Sequence, residues 1–165
     1  HAALWREYRY ILPKEGLDLD LMRDAGRELL GVHDFRNLSS QKSRSTTRNL
    51  MKLDISEESG SVLLEVRADG FLWNMVRKIA TVLEKVGSGE RDLDWVRELL
   101  DPGVNRGVNP APAEGLILMD VGYQGVDWTL EPYSMRMAQE RLSKIWRREA
   151  ALAEATGVLA RAMSF

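Results

Sequence analysis

Residues 61–87 read SVLLEVRADGFLWNMVRKIATVLEKVG, and a change of period inside them decides the fold. Over 61–68 apolar and polar side chains alternate, so Val62, Leu64, Val66 and Ala68 share one face of a strand. From Leu72 the spacing turns helical. Leu72, Met75, Val76, Ile79, Leu83 and Val86 make one stripe that stops at Gly87. A strand with one apolar face, followed by a helix with one apolar stripe, predicts a sheet with a helix laid on it.

Working outward, residues 48–56 read as a partner strand, joined to 61–68 through the turn residues Glu58, Ser59 and Gly60. Further upstream, LWREYRYIL at 4–12 alternates bulky and charged side chains and predicts another strand, ended by Pro13 and Gly16. Asp18 can cap a helix running to about Leu30, with Leu19, Met22, Gly26, Leu29 and Leu30 near one face and Gly31 as its stop. A polar loop over 36–47 follows. Downstream, a short helix is predicted over 92–100, and residues 101–115, with three of the five prolines, form a loop. The stretch LILMDVGY at 116–123 is a last strand, too apolar for an exposed edge.

The order β-α-β-β-α-(α)-β is the α+β, ferredoxin-like βαββαβ unit, a four-stranded antiparallel sheet with helices on one face. This domain is expected over residues 1–130. Residues 131–165 add a C-terminal helical extension, with Met135, Ala138, Leu142 and Ile145 at helical spacing, able to lie on the domain or against a partner helix.

Composition narrows the class. A chain of 165 residues can bury roughly 70% of its unfolded surface in one core. With 29% charged residues, net charge −2 and five Trp, it is not a disordered chain. No apolar run approaches the roughly 20 residues of a membrane helix. The absence of Cys excludes disulfides and thiolate chemistry and favours an intracellular, cytoplasmic setting. Two histidines, His1 and His33, are too few for a His-rich metal site, so no metal is expected.

Charge is unevenly spread. Arg36, Lys42, Arg44, Arg48 and Lys52 follow one another with no acid between Asp34 and Asp54, separated mostly by Ser, Thr, Asn and Gln. Such a run suits a phosphate backbone, and equally a solvated loop. The third strand carries no aromatic residue, which disfavours the ordinary RNA-recognition module. The aromatics sit on the first strand, where Arg6, Tyr8 and Tyr10 share one face and Trp5, Glu7, Arg9 and Ile11 the other. Both tyrosines could serve simply as core. Arg77 lies in an otherwise apolar helix between Trp73 and Ala80, so it must reach water or a carboxylate, in this chain or another.

Five segments, in order and at the right spacing across about residues 4–123, resemble the carboxy-terminal half of the tRNA pseudouridine synthase A family. They are Arg6-x-Tyr8-Arg9-Tyr10; Leu30-Gly31-x-His33-Asp34-Phe35; Arg48-Asn49; Asn74-Met75-Val76-Arg77-Lys78-Ile79; and Ala113-Glu114-Gly115-Leu116-x-Leu118-x-x-Val121-x-Tyr123. The family isomerises uridines in the tRNA anticodon stem-loop, without a cofactor, using an Asp in a Gly-Arg-Thr-Asp motif that this chain lacks. The resemblance therefore implies a fragment, one wall of a cleft, inactive without the missing amino-terminal half and expected in a homodimer. It makes Arg77 the cation for that Asp, Tyr8 the contact to the target base, and Leu116 and Leu118 its apolar pocket. Arg44, Arg48 and Lys42, then Arg6 and Arg9, become candidates for the tRNA backbone. His33, Asp34 and Phe35 are expected to fix a turn.

Two other readings stand beside it. One is a non-catalytic RNA-binding module in which Arg77 meets an internal carboxylate such as Asp69. The other is a protein-interaction domain that dimerises through the terminal helix.

Overall fold

The structure, a computed structural model, describes residues 3–41, 45–126, 129 and 131–163. It separates into two compact units, residues 1–124 and 125–165.

Among its described residues the first unit holds, besides two single-turn 3-10 helices, five strands and three α-helices. In chain order they are β1 (Trp5–Pro13), α1 (Leu19–Leu29), β2 (Gly31–Asp34), β3 (Thr47–Glu58), β4 (Ser61–Ala68), α2 (Met75–Gly87), α3 (Leu93–Leu100) and β5 (Leu116–Gly122). All strand pairs are antiparallel, in the sheet order β2-β3-β4-β1-β5. The ferredoxin-like arrangement is present, with one strand more than expected. Gly31 does stop α1, but with φ 97° it turns the chain directly into β2, which pairs with Thr47–Leu50 at the start of β3.

The alternation in 61–68 is realised in full: Val62, Leu64, Val66 and Ala68 are completely buried. Ser59 and Gly60, both with positive φ, make the two-residue turn that brings β3 back against β4. Tyr10 and Leu12 of β1, Met22, Ala25 and Leu29 of α1, Ile79 and Leu83 of α2 and Val96 and Leu99 of α3 complete one core on the helix-covered side. Asp18 caps α1 by accepting from the amides of Asp20 (2.9 Å) and Leu21 (3.2 Å), and Asp92 caps α3 through Trp95 N (3.0 Å). Gly87 gives α1 room: a Cβ there would come within 2.6 Å of Met22 Cγ and force that side chain to shift where α1 and α2 touch. The expected turn role of Asp34 and Phe35 holds beyond β2, where Asp34 accepts from Arg36 N (3.0 Å) and the Phe35 ring is fully buried.

The last strand departs from expectation. β5 is an edge strand despite its composition, with Ile117, Leu118 and Met119 each more than two-fifths exposed. An apolar strand at a sheet edge presents unpaired backbone and apolar surface that another segment can cover.

The second unit is dominated by α4 (Pro132–Ala162), 31 residues with Glu131 at its N-cap and no buried residue. No helix among the described residues is long and apolar enough to cross a membrane.

Candidate active site

β1 sends Tyr8 and Tyr10 to the helix-covered side and Glu7 and Arg9 to the open side. Two β-bulges shape the end of the sheet where Tyr8 lies. In β5 the register shifts at Met119, so that Leu118 faces Tyr8 and Leu116 faces Tyr10 while Asp120 faces Glu7. In β3 it shifts at Met51, so that Leu50 lines up with Ala68 and Lys52 with Arg67. Each bulge re-aims the side chains beyond it, a feature common beside functional sites.

Tyr10 is core, 2% exposed, and its hydroxyl donates to Pro112 O at 2.6 Å. Burial pushes its pKa up, partly offset by the Arg77 guanidinium and reinforced by Glu84 and Glu114. Tyr8, two residues earlier on the same face, is only half-buried. Its ring stands edge-on to Phe71, 5.1 Å between centroids. Leu118 opposite it is 52% exposed. Tyr8, Phe71 and Leu118 thus offer a half-open apolar and aromatic surface, with the Tyr8 hydroxyl as its polar end.

Arg77 reaches this region from the first turns of α2. Its Nε donates to Ala111 O at 2.6 Å and its Nη1 to Asn74 Oδ1 at 3.1 Å. Ala111 N donates in return to Arg77 O (3.1 Å), which closes the loop before β5 onto α2. Asp69, the internal carboxylate considered as its partner, is engaged elsewhere, accepting from Asn49 N at 3.0 Å. The internal Arg77–Asp69 pair is therefore not formed. Among the described residues, Arg77 is held by neutral oxygens and makes no ion pair.

Three neighbours were not singled out from sequence. Phe71 supports Tyr8. Asn74 sits just before α2 in the left-handed region, φ 63°, and contacts Arg77. Lys78 is 6% exposed and donates to Ser39 O at 2.8 Å; burial pushes its pKa down. A lysine beside an arginine within an apolar stripe was the available signal for it.

The basic candidates divide. Arg6 lies across from Ala68 on β4, which in turn faces Leu50 on β3, and Arg48 precedes Leu50 by two residues, so both arginines belong to the sheet end that holds Tyr8. Arg48 donates to its own loop, to Thr47 O (2.6 Å) and Ser45 O (3.2 Å). Lys42 and Arg44 lie outside the described residues. Arg9 is on the opposite face, paired with Glu65 at 2.5 Å, so the structure does not bring it to Tyr8 and Arg77. His33 hydrogen-bonds Leu30 O at 2.7 Å through Nε2, in keeping with its structural assignment.

This arrangement can stack and enclose a flat ring at Tyr8, and can present one localised positive charge, Arg77, to an anion arriving from outside the chain.

A family model described as tRNA pseudouridine synthase matches residues 25–124. Relatives named tRNA pseudouridine synthase A include those of Methanothrix thermoacetophila, 46% identical over 151 residues, Methanosarcina mazei, 42% over 155, and Methanocaldococcus jannaschii, 37% over 139. These alignments cover 92%, 92% and 82% of this chain but only 56%, 58% and 53% of the relatives. The chain spans a little over half the length of the relatives it matches. With its βαββαβ core and this match over most of the first unit, the chain belongs to the tRNA pseudouridine synthase family.

Proposed function

We propose that this chain forms the carboxy-terminal wall of a pseudouridine synthase cleft, acting on uridines of the tRNA anticodon stem-loop. The observation that carries the reading is Arg77, a cation on an apolar helix, held among the described residues by neutral oxygens, and close enough to act electrostatically on Tyr10, two residues along β1 from the half-open Tyr8. A guanidinium so placed gains most from a carboxylate brought in from outside the chain. The nucleophilic Asp of the family would be that carboxylate, supplied by an amino-terminal half.

The reaction breaks C1′–N1 of uridine and, after the uracil rotates, forms C1′–C5; N1 takes up a proton and the hydrogen on C5 leaves as one. Arg77 holds the Asp ionised and oriented for its attack. Tyr8 and Phe71 receive the base once it leaves its stack, and Leu116 and Leu118 close the pocket around it. Arg6, Arg48, Lys42 and Arg44 lead the tRNA backbone to the cleft. The bare edge of β5 and the exposed apolar residues on it suit coverage by that amino-terminal half. The enzyme would work as a homodimer in the cytoplasm, where its tRNA is.

The test is tritium release from tRNA carrying 5-tritiated uridine, run with the intact protein that contains this chain. Release that depends on Arg77 supports the reading. Absence of release from any tRNA under conditions where the protein binds it would leave an RNA-binding module with no chemistry.

A further inference from the structure

Asn74 occupies the position before α2, where a side chain ordinarily serves the helix by accepting from its first amides. It does not. Its side chain makes no capping bond, and its backbone, at φ 63° and ψ 10°, is in the left-handed region, which asparagine enters more readily than most non-glycine residues. The amide is spent on two other groups. Its Oδ1 accepts from Arg77 Nη1 at 3.1 Å, and its Nδ2 donates to Ser40 Oγ at 3.1 Å. Ser40 is fastened again through its own amide, which donates to Trp73 O at 2.9 Å, and Ser39 through Lys78. A residue before a helix whose side chain makes two bonds to other side chains in place of a cap points to a task for that side chain.

The chemistry of the acceptor matters as much as its place. Oδ1 of an amide orients a guanidinium with a dipole and leaves its full charge in place. A carboxylate there would orient it equally well but neutralise it. The other acceptor, Ala111 O, is neutral too.

We propose that Asn74 is a positioning residue for Arg77: its amide aims the guanidinium without neutralising it, and through Ser40 couples that aim to the polar segment before β3. The proposal rests on the synthase reading, because it gives the preserved charge a carboxylate to meet.

Two substitutions in the intact protein test it. Asn74→Gly accepts the left-handed backbone freely but removes the amide. Asn74→Asp keeps both the conformation and an acceptor oxygen but sets a negative charge on Arg77. For both, the thermal midpoint should stay at or above the wild-type value. The tRNA Kd should stay within about twofold, while the single-turnover rate of tritium release falls roughly 10- to 100-fold, the scale of a misaimed catalytic group. A purely structural role predicts instead that Asp restores the wild-type rate, and that outcome would overturn the proposal. So would wild-type rates in both variants. Arg77→Ala is the control that separates the two levels. If wild type releases tritium, Arg77→Ala does not and the Asn74 variants do, only the positioning role falls. If wild type itself releases none, the synthase reading falls and takes the proposal with it.

Discussion

The two faces of the sheet treat their cations in opposite ways. On the open face Lys52 bridges Glu65 (2.8 Å), Glu7 (3.3 Å) and Asp54 (3.4 Å). Arg9 pairs with Glu65, and Arg67 donates to Glu7 through Nε at 2.7 Å while lying 4.2 Å over the Trp5 ring. Every cation there has a carboxylate. At the Tyr8 end of the helix-covered face, Arg77 and Lys78 have only amide and carbonyl oxygens. The difference separates charge that is consumed in tying strands together from charge that is kept. Ion pairs satisfied within the chain stiffen it and offer nothing to a partner. A cation oriented by dipoles keeps its charge, and Arg77, only part-buried, leaves that charge open to water or to a partner from outside.

The largest effect should follow from removing the kept charge. Arg77→Ala in the intact protein should lower tritium release by about 100- to 1,000-fold, the scale of losing one preorganised electrostatic contact, while tRNA binding mostly survives. Arg77→Lys should recover little, since a single ammonium cannot hold both Ala111 O and Asn74 Oδ1 in the same fork. Wild-type turnover in Arg77→Ala would erase the contrast between the faces as a functional one. Tyr8→Phe should cost less, roughly tenfold, since the ring and its Phe71 contact remain. Tyr8→Ala, which also removes the stacking surface, should cost more than Tyr8→Phe in the same assay.

Much of this was legible in the sequence, and the parts that were not share a physical reason. The alternation at 61–68 and the helical stripe are periodic signals; the strand appears where it was read, and the helix ends at Gly87 as read but starts at Met75, with Leu72 buried just ahead of it. Arg77 stood out because its type conflicts with its stripe. β2 was missed because four residues are too few to show a period, and because the glycine that stops α1 also starts the strand. The bulges at Met51 and Met119 are one-residue shifts set by pairing between distant strands, and no local pattern reports them. The exposure of β5 was misjudged for a related reason. An apolar strand predicts cover, but not whether the cover belongs to the same stretch of chain. Asn74 was quoted only as part of the segment that carries the resemblance and given no role, since its role depends on a φ value and on Ser40, 34 positions away.

The consumed charge should behave conversely. Glu7→Gln leaves Arg67 and Lys52 short of an acceptor and should destabilise the fold by about 1–3 kcal/mol in urea unfolding, with tritium release changed less than twofold. Acid sharpens the same point. Burial opposes ionisation of Glu7, but Arg67 and Lys52 outweigh it, and Lys52 and Arg9 act likewise on Glu65; both carboxyls are held below the ordinary glutamate range. Carboxylates lowered in the folded state stabilise it above about pH 4.5, and that stabilisation is lost as pH falls through their folded values. Unfolding free energy should therefore fall more steeply with acid in the wild type than in Glu7→Gln. Parallel curves for the two proteins would mean that the network is surface decoration.

Lys78 gives the smallest effect and the finest test, because it shows what an unpaired cation costs. Lys78 projects from α2 and is buried, its ammonium donating to Ser39 O, and burial lowers its pKa. Lys78→Met keeps the stem's packing, loses one hydrogen bond and removes the desolvated charge. These opposing changes should leave stability within about 1 kcal/mol of wild type near neutral pH. The pH dependence carries the sign. Between the lowered folded pKa and the unfolded value near 10.5, the unfolded chain binds more protons at Lys78 than the folded one, so wild-type stability gains with rising pH. Met has no such gain, and taking the difference between the two proteins cancels every other titrating group. The stability of Lys78→Met relative to wild type should therefore decline steadily as pH rises toward 10.5. A flat difference would show that Lys78 remains as well solvated as the open-face cations, leaving Arg77 alone on its side of the comparison.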